Sequence, residues 1–121
     1  MKKKILLIED EADIANPLAY RLNKKGLEVI IAQDGEEGLK KAQEERPDLI
    51  ILDLMLPRLP GEEVCKRIRD DERIGKVPII MLTAKASDVD KIVGKTLGAS
   101  SYMTKPFEAN DLLKEVDRFL K

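Results

Sequence analysis

The stretch Asp48-Leu49-Ile50-Ile51-Leu52-Asp53, followed by Leu54-Met55-Leu56-Pro57, decides the fold of this chain. Its four consecutive large aliphatic residues, two of them β-branched, predict a strand that is buried on both faces. The run ends on the carboxylate of Asp53, and Pro57 prevents the strand from continuing as a paired one. In an open α/β sheet, the carboxyl end of such a strand lies at the rim where ligands bind. Taken alone, Asp53 is equally consistent with an acid that caps the following turn.

Four further runs predict the other strands of a parallel sheet: Ile5–Ile8, Leu27–Ala32, Val77–Thr83 and Ala99–Thr104. Helical periodicity predicts a helix after each strand. The first carries Ala15, Leu18, Ala19 and Leu22 on its inner face and Pro17 in its first turn or so. The others are Glu36–Glu45, a helix ending near Asp70, Asp88–Leu97 and Glu108–Leu120. We expect an α/β fold, the (βα)5 flavodoxin-like doubly wound sandwich, with a five-stranded parallel sheet of order 2-1-3-4-5. The first and third strands should lie centrally and the fifth at an edge.

The composition is that of one globular domain, with 121 residues of which 43% are hydrophobic and 37% charged. A net charge of −1 argues against nucleic acid as a direct partner. The sequence has no apolar run of membrane-spanning length and no secretory signal, and its one cysteine, Cys65, favours a reducing compartment. We therefore expect a cytoplasmic location and no membrane partner. Histidine is absent from the chain, which excludes a histidine nucleophile or a His-ligated metal.

Chemically useful side chains follow four of the predicted strands: Glu9, Asp10 and Glu11, then Asp53, Thr83 and Lys105. The ends of parallel strands meet at one edge, so these groups should lie close together. Crowded carboxylates are stabilised by a cation, and oxygen ligands without histidine or thiolate select Mg²⁺, or Mn²⁺ as the other possibility. Such a set suits phosphoryl transfer with Asp53 as the nucleophile. The metal, Lys105 and the Thr83 hydroxyl would each take one phosphoryl oxygen.

Four sequence motifs carry a family resemblance: IEDE with Glu9-Asp10, LIILD-LMLP at Asp53, MLTA at Thr83-Ala84, and YMTKPF with Tyr102 and Lys105-Pro106. From end to end, the chain resembles a response-regulator receiver domain (CheY-like) of two-component signalling. The resemblance implies one receiver domain over residues 1–121. It also implies a signalling switch rather than an enzyme, with Mg²⁺-assisted self-phosphorylation and self-dephosphorylation as its only chemistry.

The resemblance further implies the details of the phosphoryl transfer. The donor would be a phosphohistidine on a sensor histidine kinase or a histidine phosphotransfer domain, and the acceptor would be Asp53. Mg²⁺ would be bound by Asp10, Asp53 and the backbone carbonyl of Met55, with Glu9 acting through a water molecule. The Lys105-Pro106 peptide bond is typically cis in such domains, which would direct Lys105 into the site.

The switch is also implied by the resemblance. Thr83 would move toward the phosphoryl group, and Tyr102 would turn inward into the vacated space. Without the resemblance, Tyr102 is a half-buried ring on an edge strand. The change would alter binding of a downstream effector protein or domain.

Partner surfaces follow mainly from the family. The kinase would dock on the start of the first helix (Ala12, Ile14, Ala15) and on Pro106-Phe107. Ser100-Ser101 stand where many DNA-binding relatives have two acids, which puts the usual dimer in doubt and leaves open a monomer or a phosphorylation-dependent dimer. No effector domain follows in this sequence, so we expect either a stand-alone regulator or a fragment of a longer protein.

Met55 and Lys85 lie two positions beyond Asp53 and Thr83, and they flank the path of an attacking water. We expect the apolar Met55 to make the phosphoryl group long-lived. Met55 also bears on one alternative, a haloacid-dehalogenase-like phosphatase, since such enzymes usually have a second Asp at that position for proton transfer. A flavodoxin-like electron carrier is the other alternative, but the acids after the first strand are hostile to a flavin phosphate.

Overall fold

The computed structural model describes residues 2–83 and 98–121. These residues contain a parallel five-stranded sheet of order β2-β1-β3-β4-β5. Its strands are β1 (Lys4–Ile8), β2 (Glu28–Ala32), β3 (Leu49–Asp53), β4 (Ile79–Thr83) and β5 (Ser101–Thr104). The predicted fold class and strand order are confirmed, with β5 at an edge as expected. The β3 strand is buried at every position, as its unbroken aliphatic run requires.

Four helices accompany the sheet in the described residues: α1 (Ala12–Lys24), α2 (Gly35–Glu45), α3 (Gly61–Asp70) and a C-terminal helix (Ala109–Leu120). Asp34 caps α2, since its side chain accepts the backbone N–H of Glu37 at 2.8 Å. Because α1 begins at Ala12, Pro17 lies early in its second turn, close to the expected place. The predicted helix Asp88–Leu97 falls outside the described residues.

The sheet has an apolar cluster on each face, which is the doubly wound arrangement. Alternate strand residues such as Leu6, Ile50 and Met81 pack with α2 and α3. Their neighbours, such as Leu7, Ile51 and Leu82, pack with α1 and the C-terminal helix. Both faces of the central strands are therefore covered, and polar chemistry is confined to the strand ends and the loops beyond them.

The prediction that Ala15 contacts a docking partner is wrong, because Ala15 lies on the inner face of α1. Ala15 is only 1% exposed and belongs to the core cluster beneath α1. Its position in the i, i+3, i+4, i+7 pattern of inward-facing residues accounts for this burial. Ala15 is therefore not available to a docking partner, whereas Ala12 is exposed and Ile14 partly so.

Within residues 2–83 and 98–121, none of the helices has both the length and the apolar character that spanning a membrane requires.

Gly61 brings the start of α3 onto the end of β3. A Cβ atom at Gly61 would collide with the carbonyl oxygen of Asp53 and would lie 2.8 Å from Cα of Leu54. The Gly61 N–H also donates to the Leu54 carbonyl at 3.1 Å. A residue without a side chain is needed where two backbones approach this closely. The loop after Asp53 is thus fixed against the sheet edge, and this fixes the walls of the site described next.

Candidate functional site

Three charged side chains from distant parts of the chain meet at the carboxyl edge of the sheet. Lys105 Nζ lies 2.8 Å from Glu9 Oε1 and 3.0 Å from Asp53 Oδ2. Glu9 is 1% exposed and Asp53 2% exposed, while Lys105 is also largely covered. Buried carboxylates are costly unless they are paired, and one ammonium group here pairs with two of them.

The backbone around β3 determines where the Asp53 carboxylate points. The Leu54 N–H donates to the Leu82 carbonyl at 2.8 Å, which extends the β3–β4 pairing one residue past the strand. The Met55 N–H then turns back and donates to Asp53 Oδ1 at 3.1 Å. One carboxylate oxygen is therefore held by the backbone and the other by Lys105.

Two more acids join this pair at the end of β1. Carboxylate oxygens of Glu9, Asp10, Glu11 and Asp53 all lie within 4.8 Å of one another. Glu9 and Asp53 are buried, whereas Asp10 and Glu11 are exposed. The sequence-predicted ligands Glu9, Asp10 and Asp53 are thus brought together. Glu11, which we did not predict as a ligand, lies in the same group.

The donor set fits a magnesium ion. All four groups offer oxygen, which is the ligand that Mg²⁺ prefers. With Mg–O distances of 2.0–2.1 Å, two direct ligands lie at most about 4.2 Å apart. A spread of up to 4.8 Å therefore suits direct contact with some of the four carboxylates and water-mediated contact with the others.

Burial and crowding change the proton affinity of the cluster. Burial, followed by the hydrogen bond and charge of Asp53, raises the pKa of Glu9 to about 7, against the lowering effect of Lys105. Burial by itself would lower the pKa of Lys105, but its hydrogen bonds to Glu9 and Asp53 outweigh this and raise that pKa. Lys105 thus stays protonated, and among the described residues its single charge balances only part of the negative charge of the carboxylate group.

The remaining predicted residues take these positions. Thr83 is buried at the end of β4, and its carbonyl accepts the Lys105 N–H. Tyr102 is half-buried on β5 and packs against the core cluster on the α2 and α3 side. The Lys105–Pro106 peptide bond is cis, as the resemblance implies. Met55 is 72% exposed. Ala84 and Lys85 lie outside the described residues.

The raised pKa of Glu9 predicts how the free energy of unfolding depends on pH when no divalent cation is present. The Glu9 pKa is raised from 4.5 to about 7 by folding. The folded state therefore holds this proton more tightly than the unfolded state. The resulting stabilisation is complete below pH 4.5 and is lost as the pH rises through about 7. In EDTA, we expect Glu9→Gln to reduce the loss of unfolding free energy between pH 5 and 8 by roughly 1–3 kcal/mol.

Thermal or urea unfolding of both proteins across this pH range measures the difference. Glu36→Gln is the matched control, because Glu36 is exposed on α2. Parallel pH profiles for wild type and Glu9→Gln would contradict the assignment of a raised pKa to Glu9.

Comparison with known proteins matches residues 5–117 to the family described as the response regulator receiver domain. The alkaline phosphatase synthesis transcriptional regulatory protein PhoP of Bacillus subtilis (strain 168) is 50% identical over 121 residues. That alignment covers all of this chain and 50% of PhoP, so the chain spans about half the length of this relative.

Solved structures that resemble this chain are also response regulators or their receiver domains. The chemotaxis response regulator CheY4 of Vibrio cholerae has a TM-score of 0.93 and 37% identity, covering 98% of this chain and 99% of that one. The BeF3-activated N-terminal receiver domain of Klebsiella pneumoniae RstA has a TM-score of 0.90 and 30% identity, with the same coverage of 98% and 99%. The chain belongs to the response regulator receiver domain family of two-component signalling.

Proposed function

We propose that this chain is a phosphorylation-controlled signalling switch whose phosphoacceptor is Asp53. The observation that carries the proposal is the position of the Asp53 carboxylate. It is buried at the end of the central strand β3, 3.0 Å from the Lys105 ammonium group and beside three further carboxylates. A nucleophile, a fixed cation and a set of oxygen ligands for a metal are the components that phosphoryl transfer uses.

In the transfer, an oxygen of Asp53 attacks the phosphorus of a phosphohistidine on the donor protein. The P–N bond breaks and its electron pair remains on the imidazole nitrogen, so that Asp53 becomes an acyl phosphate. Lys105 and the Thr83 hydroxyl bind phosphoryl oxygens as charge develops. Mg²⁺, or Mn²⁺ in its place, supplies further charge stabilisation when bound to Asp10, Asp53 and the Met55 carbonyl, with Glu9 acting through water. Self-phosphorylation from a small donor and self-dephosphorylation use the same groups.

Thr83 and Tyr102 transmit the phosphorylation of Asp53 to the surface of the protein. Thr83 lies at the end of β4 beside the site, and Tyr102 lies on β5, where it is paired in register with Met81 two residues before Thr83. A shift of Thr83 toward the phosphoryl group allows the half-buried Tyr102 ring to move inward. An aromatic ring that leaves the surface changes the face that an effector protein or domain contacts.

A groove beside Lys105 is the surface that suits the kinase or phosphotransfer domain. Side chains from α1 and from the loop after β5 line it, and its lining is mostly apolar: Ile14, Pro17, Leu18, Arg21, Lys105, Pro106, Phe107 and Ala109. Because Lys105 contacts Asp53, a domain seated in this groove brings its phosphohistidine close to the acceptor. We place the switch in the cytoplasm, where such kinases deliver their phosphoryl groups.

The residues at the start of β5 make contacts within the chain. Ser101 Oγ donates to Glu115 Oε2 at 2.7 Å, and Glu115 also pairs with Arg118. Ser100 Oγ accepts the Ile79 N–H at 3.0 Å. These contacts are consistent with the doubt raised by Ser100-Ser101 about an acid-mediated dimer. A monomer, or a dimer that forms after phosphorylation by other contacts, fits the proposal.

Phosphorylation of Asp53 can be tested directly. Incubation with acetyl phosphate and Mg²⁺ should add one phosphoryl group to the wild-type protein, as measured by intact mass. Asp53→Ala should show no gain, and EDTA should abolish the gain in wild type because the carboxylates then lack their cation. Asp70→Ala is the control, since Asp70 is an exposed acid at the end of α3. Equal labelling of Asp53→Ala and wild type would exclude Asp53 as the acceptor.

The lifetime of the phosphoryl group should depend on Met55. Its exposed apolar side chain cannot orient a water molecule by hydrogen bonding, whereas an amide can. We expect Met55→Asn to speed dephosphorylation by about tenfold, equivalent to about 1.4 kcal/mol of activation free energy. Loss of the phosphorylated mass after removal of the donor gives the rate. Met55→Leu should keep the wild-type rate, and an unchanged or slower rate in Met55→Asn would refute this role.

A further inference from the structure

A strained turn bends the loop that joins Asp53 to α3. Arg58 has a φ of 69°, in the left-handed region that residues other than glycine rarely adopt. The Leu59 N–H donates to the Pro57 carbonyl at 2.8 Å, so residues 57–59 form a γ-turn with Arg58 at its centre. A γ-turn whose central residue has a positive φ is the rare and strained form. Such a conformation persists only where the surrounding structure holds it.

The first turn of α2 holds this γ-turn. One oxygen of the Asp34 carboxylate caps α2, and the other, Oδ2, lies 3.5 Å from Arg58 Nε. The Gly35 N–H donates to the Pro57 carbonyl at 3.4 Å. A Cβ atom at Gly35 would overlap the carbonyl oxygen of Leu59, so the two backbones are in direct contact. The γ-turn therefore rests on α2 through an ion pair, a hydrogen bond and close backbone packing.

The inner part of the same loop contacts the phosphoacceptor. The Met55 N–H donates to Asp53 Oδ1 at 3.1 Å. The Gly61 N–H donates to the Leu54 carbonyl at 3.1 Å, which ties the end of the loop back to its beginning. A single residue, Leu56, separates Met55 from the γ-turn. The position of the γ-turn on α2 therefore determines the path of the backbone at Met55.

We infer that Asp34 and Arg58 are positioning residues that lengthen the lifetime of the phosphoryl group on Asp53. This inference rests on the proposed function. In hydrolysis, a water oxygen attacks the phosphorus, and the bond to the Asp53 oxygen breaks with its electron pair on the carboxylate. Inorganic phosphate leaves with both hydrogens of the water. A loop fixed against α2 keeps the apolar Met55 side chain beside Asp53, whereas a loop released from α2 admits water more often.

The test compares Arg58→Gly with Arg46→Gly. Glycine adopts a positive φ without strain, so Arg58→Gly removes both the pair with Asp34 and the restraint on the turn. Arg46 is the matched control: within residues 2–83 and 98–121 it is the other non-glycine residue with a positive φ, and it lies at the C-terminal end of α2. Loss of the phosphorylated mass after removal of acetyl phosphate should be about threefold faster in Arg58→Gly, because an exposed ion pair contributes modestly. Arg46→Gly should keep the wild-type rate.

Two further measurements separate positioning from a general loss of structure. Asp34→Asn keeps an oxygen for the helix cap but removes the charge that Arg58 faces. If the two side chains act together, the double variant should lose the phosphoryl group no faster than Arg58→Gly alone. In NMR spectra of the unphosphorylated chain, the Met55 amide signal should shift in Arg58→Gly and stay in place in Arg46→Gly.

A wild-type lifetime or an unshifted Met55 signal in Arg58→Gly would overturn the inference. So would an equal change in Arg46→Gly, or additive effects in the double variant, because Asp34 and Arg58 would then act independently. With wild type labelled by acetyl phosphate, any of these results leaves the proposed function standing. If wild type takes up no phosphoryl group, the proposed function fails and the inference fails with it.

Discussion

One ammonium group holds two buried carboxylates at the centre of this structure. Lys105 follows β5, whereas Glu9 and Asp53 belong to the ends of β1 and β3, so the Lys105 side chain extends across the end of β4. Removing a charge from water costs several kcal/mol unless partners compensate. The pairing with Lys105 therefore allows two charged carboxylates to remain buried at the ends of β1 and β3, whose other residues are apolar and buried. It also connects the edge strand β5 to the middle of the sheet.

The same pairing leaves the site unbalanced. Lys105 offers one positive charge to a group of four carboxylates, and the pKa of Glu9 is raised to about 7 by burial and by Asp53. Binding a divalent cation, taking up a proton, or converting the Asp53 carboxylate to an acyl phosphate would each change that balance. Phosphorylation of Asp53, as proposed, would add negative charge to a group of carboxylates that Lys105 already balances only in part. In the proposed switch, the signal would then pass to β4 and β5 through Thr83 and Tyr102.

The sheet could be predicted from the sequence because its signals are local and strong. The runs Ile5–Ile8 and Leu49–Leu52 identify buried strands, and alternation with helical periodicity requires parallel order. Glu9, Asp10, Asp53 and Lys105 were predicted to be neighbours because each follows or ends a predicted strand, and the carboxyl ends of parallel strands lie at one edge of the sheet. Family motifs, rather than periodicity, supplied the roles of Tyr102 and of the cis bond before Pro106.

Other features depend on loop geometry that the residue pattern does not specify. The sequence placed Glu11 near Glu9 and Asp10, but the family resemblance named only Glu9 and Asp10 as ligands at the end of the first strand, so the equal closeness of Glu11 to Asp53 was not predicted. The double contact of Lys105 depends on how the loop after β5 leans over the sheet edge. Ala15 was misassigned to a docking surface because the residues expected to contact a partner and the residues that pack in the core belong to the same short segment.

The central claim is that the carboxylates around Asp53 and Lys105 form one cation site. Its most direct test uses Mn²⁺ as a paramagnetic probe in NMR spectra of the isotope-labelled chain. If the carboxylates at the sheet edge hold one divalent cation beside Asp53, substoichiometric Mn²⁺ should broaden the amide signals of residues 9–11 and 53–55 first, and excess Mg²⁺ should restore them. Broadening that begins elsewhere, or that Mg²⁺ does not reverse, would show that these side chains do not form a common cation site.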